Sequence, residues 1–202
     1  MITPIADGTV PWPEEVAREY EKAGWWRGRD LGAEVAAVTM GGDGGKSGGD
    51  EGKSRARQAA TALVDGVTRL TYASLMARAD AVASRLTDGL GLERGDRIVV
   101  QLPNCLPFVV LTLGCLRAGI VPVMALPSHR QHELAYLCEH SEARALAVPD
   151  VLRGFDHQDM AERLRAGSAS LRHILVAGRD VRHADLTALC AEPDDPAAAC
   201  AR

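Results

Sequence analysis

Apolar and polar positions change period repeatedly along this chain. Val16, Tyr20 and Ala23 recur at helical spacing behind Pro11-Trp12-Pro13-Glu14-Glu15. Proline suits a first helical turn, the glutamates complement the positive end of the helix dipole, and Gly24 is placed to end the helix in a left-handed cap. Trp25 and Trp26 follow, and a second short helix is expected over Leu31 to Val38. Thr61 to Asp65 and Arg69 to Tyr72, separated by Gly66, read as a hairpin. A helix is predicted from Tyr72 to Asp88, with Thr71 as N-cap and Leu75, Ala79, Val82 and Leu86 as its buried stripe.

Beyond that helix the pattern alternates. Continuous apolar runs at Arg97 to Leu102, Ile120 to Met124, Ala145 to Val148 and His173 to Ala177 read as buried strands. Between them lie helical segments: one opened by Asn104 and Pro107 and closing at Ala118-Gly119, one over Gln131 to His140, and one over Asp159 to Ala166. Unbroken apolar strands separated by helices imply an α/β fold with a largely parallel sheet and helices on both faces.

From Gly41 to Ser54 no apolar side chain occurs. Such a stretch buries nothing that would offset its ordering entropy, so it is expected to be a flexible insertion. The resulting division is an N-terminal helical segment over 1–40, a Gly-rich insertion over 41–54 and an α/β subdomain over 55–202. The insertion contains Gly45-Lys46-Ser47 and Gly52-Lys53-Ser54. A phosphate-cradling Walker loop needs a further glycine five positions before its last one. Those positions hold Met40 and Ser47, so both copies fail.

Composition narrows the function class. With 47% hydrophobic and 25% charged residues the 202-residue chain can bury a real core. A formal net charge of −4, scattered basic residues and 4% aromatics give no nucleic-acid surface. Met1 to Val10 lack a basic start and an apolar run, and the longest apolar stretches are too short to span a bilayer, so a cytoplasmic protein without membrane contact is expected. Cys105, Cys115, Cys138, Cys190 and Cys200 form no C-x-x-C pair, and the first three sit among apolar neighbours as core residues. His129, His132 and Glu133 would suggest a metal pair if all lay on one helix, but His129 falls in the loop after Pro127 and no third ligand is evident. No Ser/His/Asp arrangement, G-x-S-x-G elbow or G-x-G-x-x-G turn is present, so no catalytic residue and no metal site is assigned, and cofactor-binding residues stay open.

Several stretches nevertheless resemble the start of the adenylate-forming superfamily of acyl-CoA synthetases and adenylation domains. Leu70-Thr71-Tyr72 with Leu75 and Ala79-Asp80 resembles its first core motif, and Leu116 to Val123 its second. Gly95 to Val100 with Pro103-Asn104 resembles the strand and loop between them. Pro11-Trp12-Pro13, Ala23 to Trp26, Gln101 to Asn104 and Pro122 to Pro127 with His129-Arg130 resemble the branch of 2,3-dihydroxybenzoate- and salicylate-AMP ligases of siderophore pathways.

The resemblance implies the N-terminal subdomain of such an enzyme. It implies activation of an aryl acid with ATP and Mg²⁺, then transfer to the phosphopantetheine thiol of an aryl carrier protein. It places the phosphate-binding loop just after Asp194-Asp195-Pro196, and the aryl pocket and the mobile catalytic lid further downstream. On that reading the chain alone needs no cofactor, is inactive, and is completed by a second chain carrying the downstream segment. The alternatives are a non-catalytic scaffold that binds a carrier protein or an intact ligase, and a decayed fragment.

Overall fold

A computed structural model describes residues 12–28, 30–40 and 51–193. Three helices, α1 (Glu14–Lys22), α2 (Leu31–Met40) and α3 (Glu51–Ala59), precede a hairpin of β1 (Thr61–Asp65) and β2 (Thr68–Thr71). Next come α4 (Tyr72–Ser84), β3 (Arg97–Val100), α5 (Leu106–Ala118), β4 (Val121–Met124), α6 (Gln131–His140) and β5 (Ala145–Pro149). A small hairpin, β6 (Val151–Leu152) and β7 (Phe155–Asp156), leads into α7 (His157–Gly167), β8 (His173–Ala177), β9 (Ala184–Asp185) and α8 (Leu186–Leu189).

The main sheet has the order β4-β3-β5-β8-β9, and every neighbouring pair in it is parallel. Its apolar runs are continuous because both faces are covered. Ile98 and Val100 enter one core with Leu111 of α5 and Val82 of α4, while Val99 enters a second core with Leu134 of α6 and Met160 of α7. The expected parallel sheet with helices on both faces is therefore what forms.

Local signals act as the sequence suggests. Thr71 caps α4 by accepting the Ser74 N–H at 3.1 Å. Leu75, Ala79, Val82 and Leu86 are all buried. Gly24 and Gly119 take positive φ values of 75° and 71° just past α1 and α5. The Asp65 carboxylate accepts the Leu106 N–H at 2.7 Å, so the first hairpin caps α5 from outside.

Three features differ from expectation. The helix predicted to Asp88 leaves α geometry at Ser84 and continues as a π-helical turn, Arg85–Gly89. There the Thr87 hydroxyl donates to the Ala83 carbonyl at 3.1 Å, competing for the acceptor that regular helix would give the Thr87 amide. The Gly-rich insertion, expected over 41–54, gives way to α3 at Glu51; residues 41–50 lie outside the described ones. Arg55, Ala56, Arg57, Gln58 and Ala59 are good helix formers, and α3 packs on α2 and α4. The hairpin β6–β7 turns on Arg153 and Gly154, both with positive φ (54° and 76°). Arginine in place of the usual Asn or Asp hides that turn in the sequence.

No residue of α1 is buried. Its apolar side is closed by the chain's three tryptophans, Trp12, Trp25 and Trp26, gathered on Tyr20 with ring centroids 5.2–6.0 Å apart.

Helix α4 packs tightly on α5. A Cβ on Gly114 would lie 2.5 Å from Val82 Cγ1 and 3.1 Å from the Ala79 carbonyl oxygen. Gly114→Ala should therefore lower the unfolding free energy by about 1–3 kcal/mol in urea titration. Val82→Ala in the same chain should remove part of that loss, giving a double-mutant cycle with coupling well outside experimental error.

Candidate functional site at the C-terminal edge of the sheet

The chain leaves β3 outward to β4, then returns past β3 to β5. This reversal of strand order opens a crevice beyond the C-terminal ends of β3 and β5, where open α/β sheets bind ligands. A cleft of about 470 Å³ lies there. Pro103, Leu126, Pro127 and Leu152 supply its apolar walls, and Asn104, Ser128, Arg130 and Arg153 its polar groups. The lining thus carries two cations and no acid.

Buried polar side chains hold the loops around this edge. Gln101, fully buried at the end of β3, donates from Nε2 to the carbonyls of Leu126 (3.1 Å) and His129 (2.8 Å). That carboxamide fixes the loop between β4 and α6. On the same loop, Arg130 Nη1 donates to the Pro127 (3.1 Å) and His129 (2.8 Å) carbonyls, and its guanidinium lies 4.3 Å over the Phe155 ring. Phe155 in turn meets the buried His157 ring edge-on at 4.9 Å. Burial, reinforced by the Arg130 cation, lowers the His157 pKa against the opposing pull of the Phe155 and Pro127 carbonyls. A neutral imidazole therefore backs the ring that carries the cation.

The next two loops are tied in the same manner. The Asp150 carboxylate accepts N–H bonds from Val151 (2.6 Å), Arg179 (2.9 Å) and Asp180 (3.4 Å). Gly178 allows this approach, since a Cβ there would come within 2.2 Å of the same carboxylate. Buried Gln158 accepts the Arg182 N–H and donates to the Asp180 carbonyl, both at 2.8 Å. Arg182 then forks onto both oxygens of Asp156 at 2.9 Å.

A larger cavity, about 580 Å³, lies between α6 and α7 on the flank of the sheet. Several of its polar groups are engaged with one another or with the fold: Arg163 with Gln131, Arg144 with Asp96 and Glu142 with Arg97. The strand-end cleft differs in carrying the exposed cations Arg130 and Arg153 with no acid in its lining.

The residues singled out in the sequence fall as follows. His129 lies in the loop before α6, while His132 and Glu133 are on the exposed first turn. Glu133 accepts the Arg130 N–H at 2.9 Å, and that bond, with its own backbone N–H, lowers its pKa, so it serves as a cap. Among the described residues no group of three His, Cys, Asp or Glu side chains could hold a metal ion. Gly52, Lys53 and Ser54 are in α3, and Gly45 to Ser47 lie outside the described residues. Cys115, Cys138 and Cys190 are buried free thiols, and Cys105 is half-buried. Burial pushes the pKa up to about 12 for Cys115 and Cys190 and to about 11 for Cys138, so none is a nucleophile at neutral pH. Cys200 lies outside the described residues. Arg153 and the clamps formed by Gln101, His157, Asp150 and Gln158 carry no local sequence signal as site residues; Gln101 stands out only through the resemblance of Gln101 to Asn104.

Burial acts to raise the Asp150 pKa, but the N–H groups of Arg179, Val151 and Asp180 outweigh it and hold the carboxyl below the usual aspartate range. A depressed folded pKa stabilises above the unfolded value, about 3.9, and that contribution is lost as pH falls through the folded pKa. Asp150→Ala should accordingly cost about 1–3 kcal/mol at pH 7. Urea unfolding of both proteins should show the difference shrinking below about pH 4.

Comparison with known proteins agrees with this architecture. The family model described as "AMP-binding enzyme" matches residues 51–200. A 2-hydroxy-7-methoxy-5-methyl-1-naphthoate–CoA ligase of Streptomyces carzinostaticus is 46% identical over 194 residues, 95% of this chain and 32% of that protein. A salicylyl-CoA synthase / salicylate adenylyltransferase of a Streptomyces species is 48% identical over 198 residues, 97% of this chain and 33% of that protein. The solved apo structure of Mycobacterium smegmatis MbtA superimposes with a TM-score of 0.74 at 35% identity, covering 95% of this chain and 33% of that one. The chain therefore spans about a third of the length of the curated relatives it matches. The strand order, the two-faced core and these matches together make this chain a member of the AMP-binding, adenylate-forming enzyme family, corresponding to the N-terminal part of its larger aryl-acid ligases.

Proposed function

We propose that this chain is the N-terminal portion of an aryl-acid AMP ligase, and that its strand-end cleft receives the phosphate-bearing end of the thiol that accepts the acyl group. The observation that carries the first part is the match, across nearly the whole chain, to two ligases named for 2-hydroxy aryl carboxylates, a hydroxynaphthoate and salicylate. An ortho-hydroxy aryl acid is the substrate class this reading assigns. In the reaction, a carboxylate oxygen bonds to the α-phosphorus of ATP as the bond to pyrophosphate breaks. A thiol then displaces AMP and leaves a thioester.

The second part rests on the cleft itself. Coenzyme A and the phosphopantetheine of a carrier protein share a phosphate at one end of a long, weakly polar arm. Arg130 and Arg153 offer charge-assisted donors to the phosphate, and Leu126 and Leu152 offer apolar surface to the arm. The AMP-binding family uses ATP and Mg²⁺. Among the described residues no group of three His, Cys, Asp or Glu side chains is placed to hold the metal.

On this reading, residues 55–202 are the α/β subdomain of a larger adenylating unit. The phosphate loop and lid come from a downstream segment, an aryl carrier protein is the partner, and an ATP-consuming reaction places the protein in the cytoplasm. Among the described residues no helix is long and apolar enough to cross a membrane.

Mixing this chain with the downstream two-thirds of the salicylate-activating relative should restore salicylate-dependent ATP–pyrophosphate exchange that neither piece shows alone. Absence of both complex and exchange would count against the proposal. For the cleft, calorimetric titration of the chain with coenzyme A should give binding that Arg153→Ala weakens about fivefold to tenfold, the loss of roughly 1–1.4 kcal/mol. Equal affinity in both proteins would remove the phosphate from the cleft.

A further inference from the structure

The Gln101 carboxamide makes two bonds of one kind. Both donors of Nε2 are used on main-chain carbonyls, those of Leu126 and His129, which lie 25 and 28 residues further along the chain. Oε1 is buried and has no protein partner. The arrangement has a fixed sense: turning the amide over would press its oxygen against two carbonyl oxygens. Strand β5 holds the backbone of Gln101 just as firmly, accepting its N–H on the Ala147 carbonyl at 2.8 Å. A rigid strand end therefore grips a loop that otherwise makes few backbone bonds of its own, among them His129 N–H to the Leu126 carbonyl at 3.0 Å. That loop carries Ser128 and Arg130 into the cleft. The Pro127 and His129 carbonyls also orient the Arg130 guanidinium, so a displaced loop takes its cation with it.

We infer that Gln101 is a positioning residue for the cleft: its carboxamide sets the Leu126–Arg130 loop and through it aims Arg130. The functional half of this inference rests on the cleft being the ligand site proposed above. The clamp itself does not.

Two variants separate the clamp from simple packing. Gln101→Met keeps the volume and removes both donors. Gln101→Glu keeps the shape but can donate only one bond, and only while its carboxyl is protonated. Amide hydrogen exchange at His129 and Arg130, with no ligand present and with the wild type measured at each pH, reads the clamp directly. The wild-type reference cancels titration of His129 and His157.

Exchange in Gln101→Met should be at least about tenfold faster in this loop at both pH 7 and pH 5, with the amides of β5 unchanged. In Gln101→Glu it should be faster at pH 7 and substantially restored at pH 5. Coenzyme A affinity should fall about tenfold alongside, an effect of the size expected from one lost charge-assisted contact. Unchanged loop exchange in both variants would overturn the inference. So would acceleration spread evenly over the sheet, or a Gln101→Glu loop that ignores pH. Should Gln101→Met fail to fold, the pH response of Gln101→Glu decides alone. If wild type binds no coenzyme A while the exchange results hold, the ligand assignment fails and the clamp stands.

Discussion

A parallel sheet buried on both faces sends its chain out through a few strand ends, and the backbone leaving them must find partners away from water. This requirement shapes the functional edge of the molecule. Among the described residues four polar or charged ones are buried in the core: Asp80, Gln101, His157 and Gln158. Asp80 pairs with Arg117 between α4 and α5. The other three stand where the chain leaves or re-enters the sheet, and each meets main-chain carbonyls or N–H groups of the surrounding loops. Burying an amide or an imidazole is unfavourable unless its bonds are made. The bonds that are made leave the loops few alternative positions, with Gln101 Oε1 the buried atom of that amide without a protein partner. The edge that would otherwise be the loosest part of the fold is thereby held to a fixed geometry before any ligand arrives.

Most of the scaffold was legible in the sequence because it depends on short-range pattern. The apolar runs that became β3, β4, β5 and β8, the Thr71 cap and the stripe from Leu75 to Leu86 are each contained within a dozen or so residues. Elements whose existence depends on distant partners were not legible. The two-residue strand β9 exists only because β8 is beside it, and α8 is a single turn capped by Asp185. The clamps illustrate the same limit. Gln101 belongs to a stretch that resembles a family motif, yet its role depends on carbonyls brought near by the β3–β4 crossover. Arg153 gave no local signal because its place in the cleft is set by a left-handed turn that arginine seldom occupies. Read locally, His129 before the helix and His132-Glu133 on it already lacked a third metal ligand. The start of α6 separates them and turns Glu133 into a cap.

Function follows from the scaffold only in part, since the relatives are about three times as long. What this chain contributes is a supported sheet edge with two cations facing an apolar-walled cleft. Met124, Leu126 and Val151 are half or more exposed on strands and loops at that same edge. On the proposed function, this apolar surface beside the charged cleft is where the downstream part of the ligase would close over the ligand.

The knot at α1 bears on how this molecule can be watched. All three tryptophans are gathered there on Tyr20, around a helix with no buried residue, and none lies in either core. Intrinsic tryptophan emission therefore reports the integrity of one peripheral helix and is nearly silent about the sheet. A chain whose knot has opened would look unfolded in the fluorimeter with its cleft intact. One whose sheet has melted beneath a surviving knot would look native.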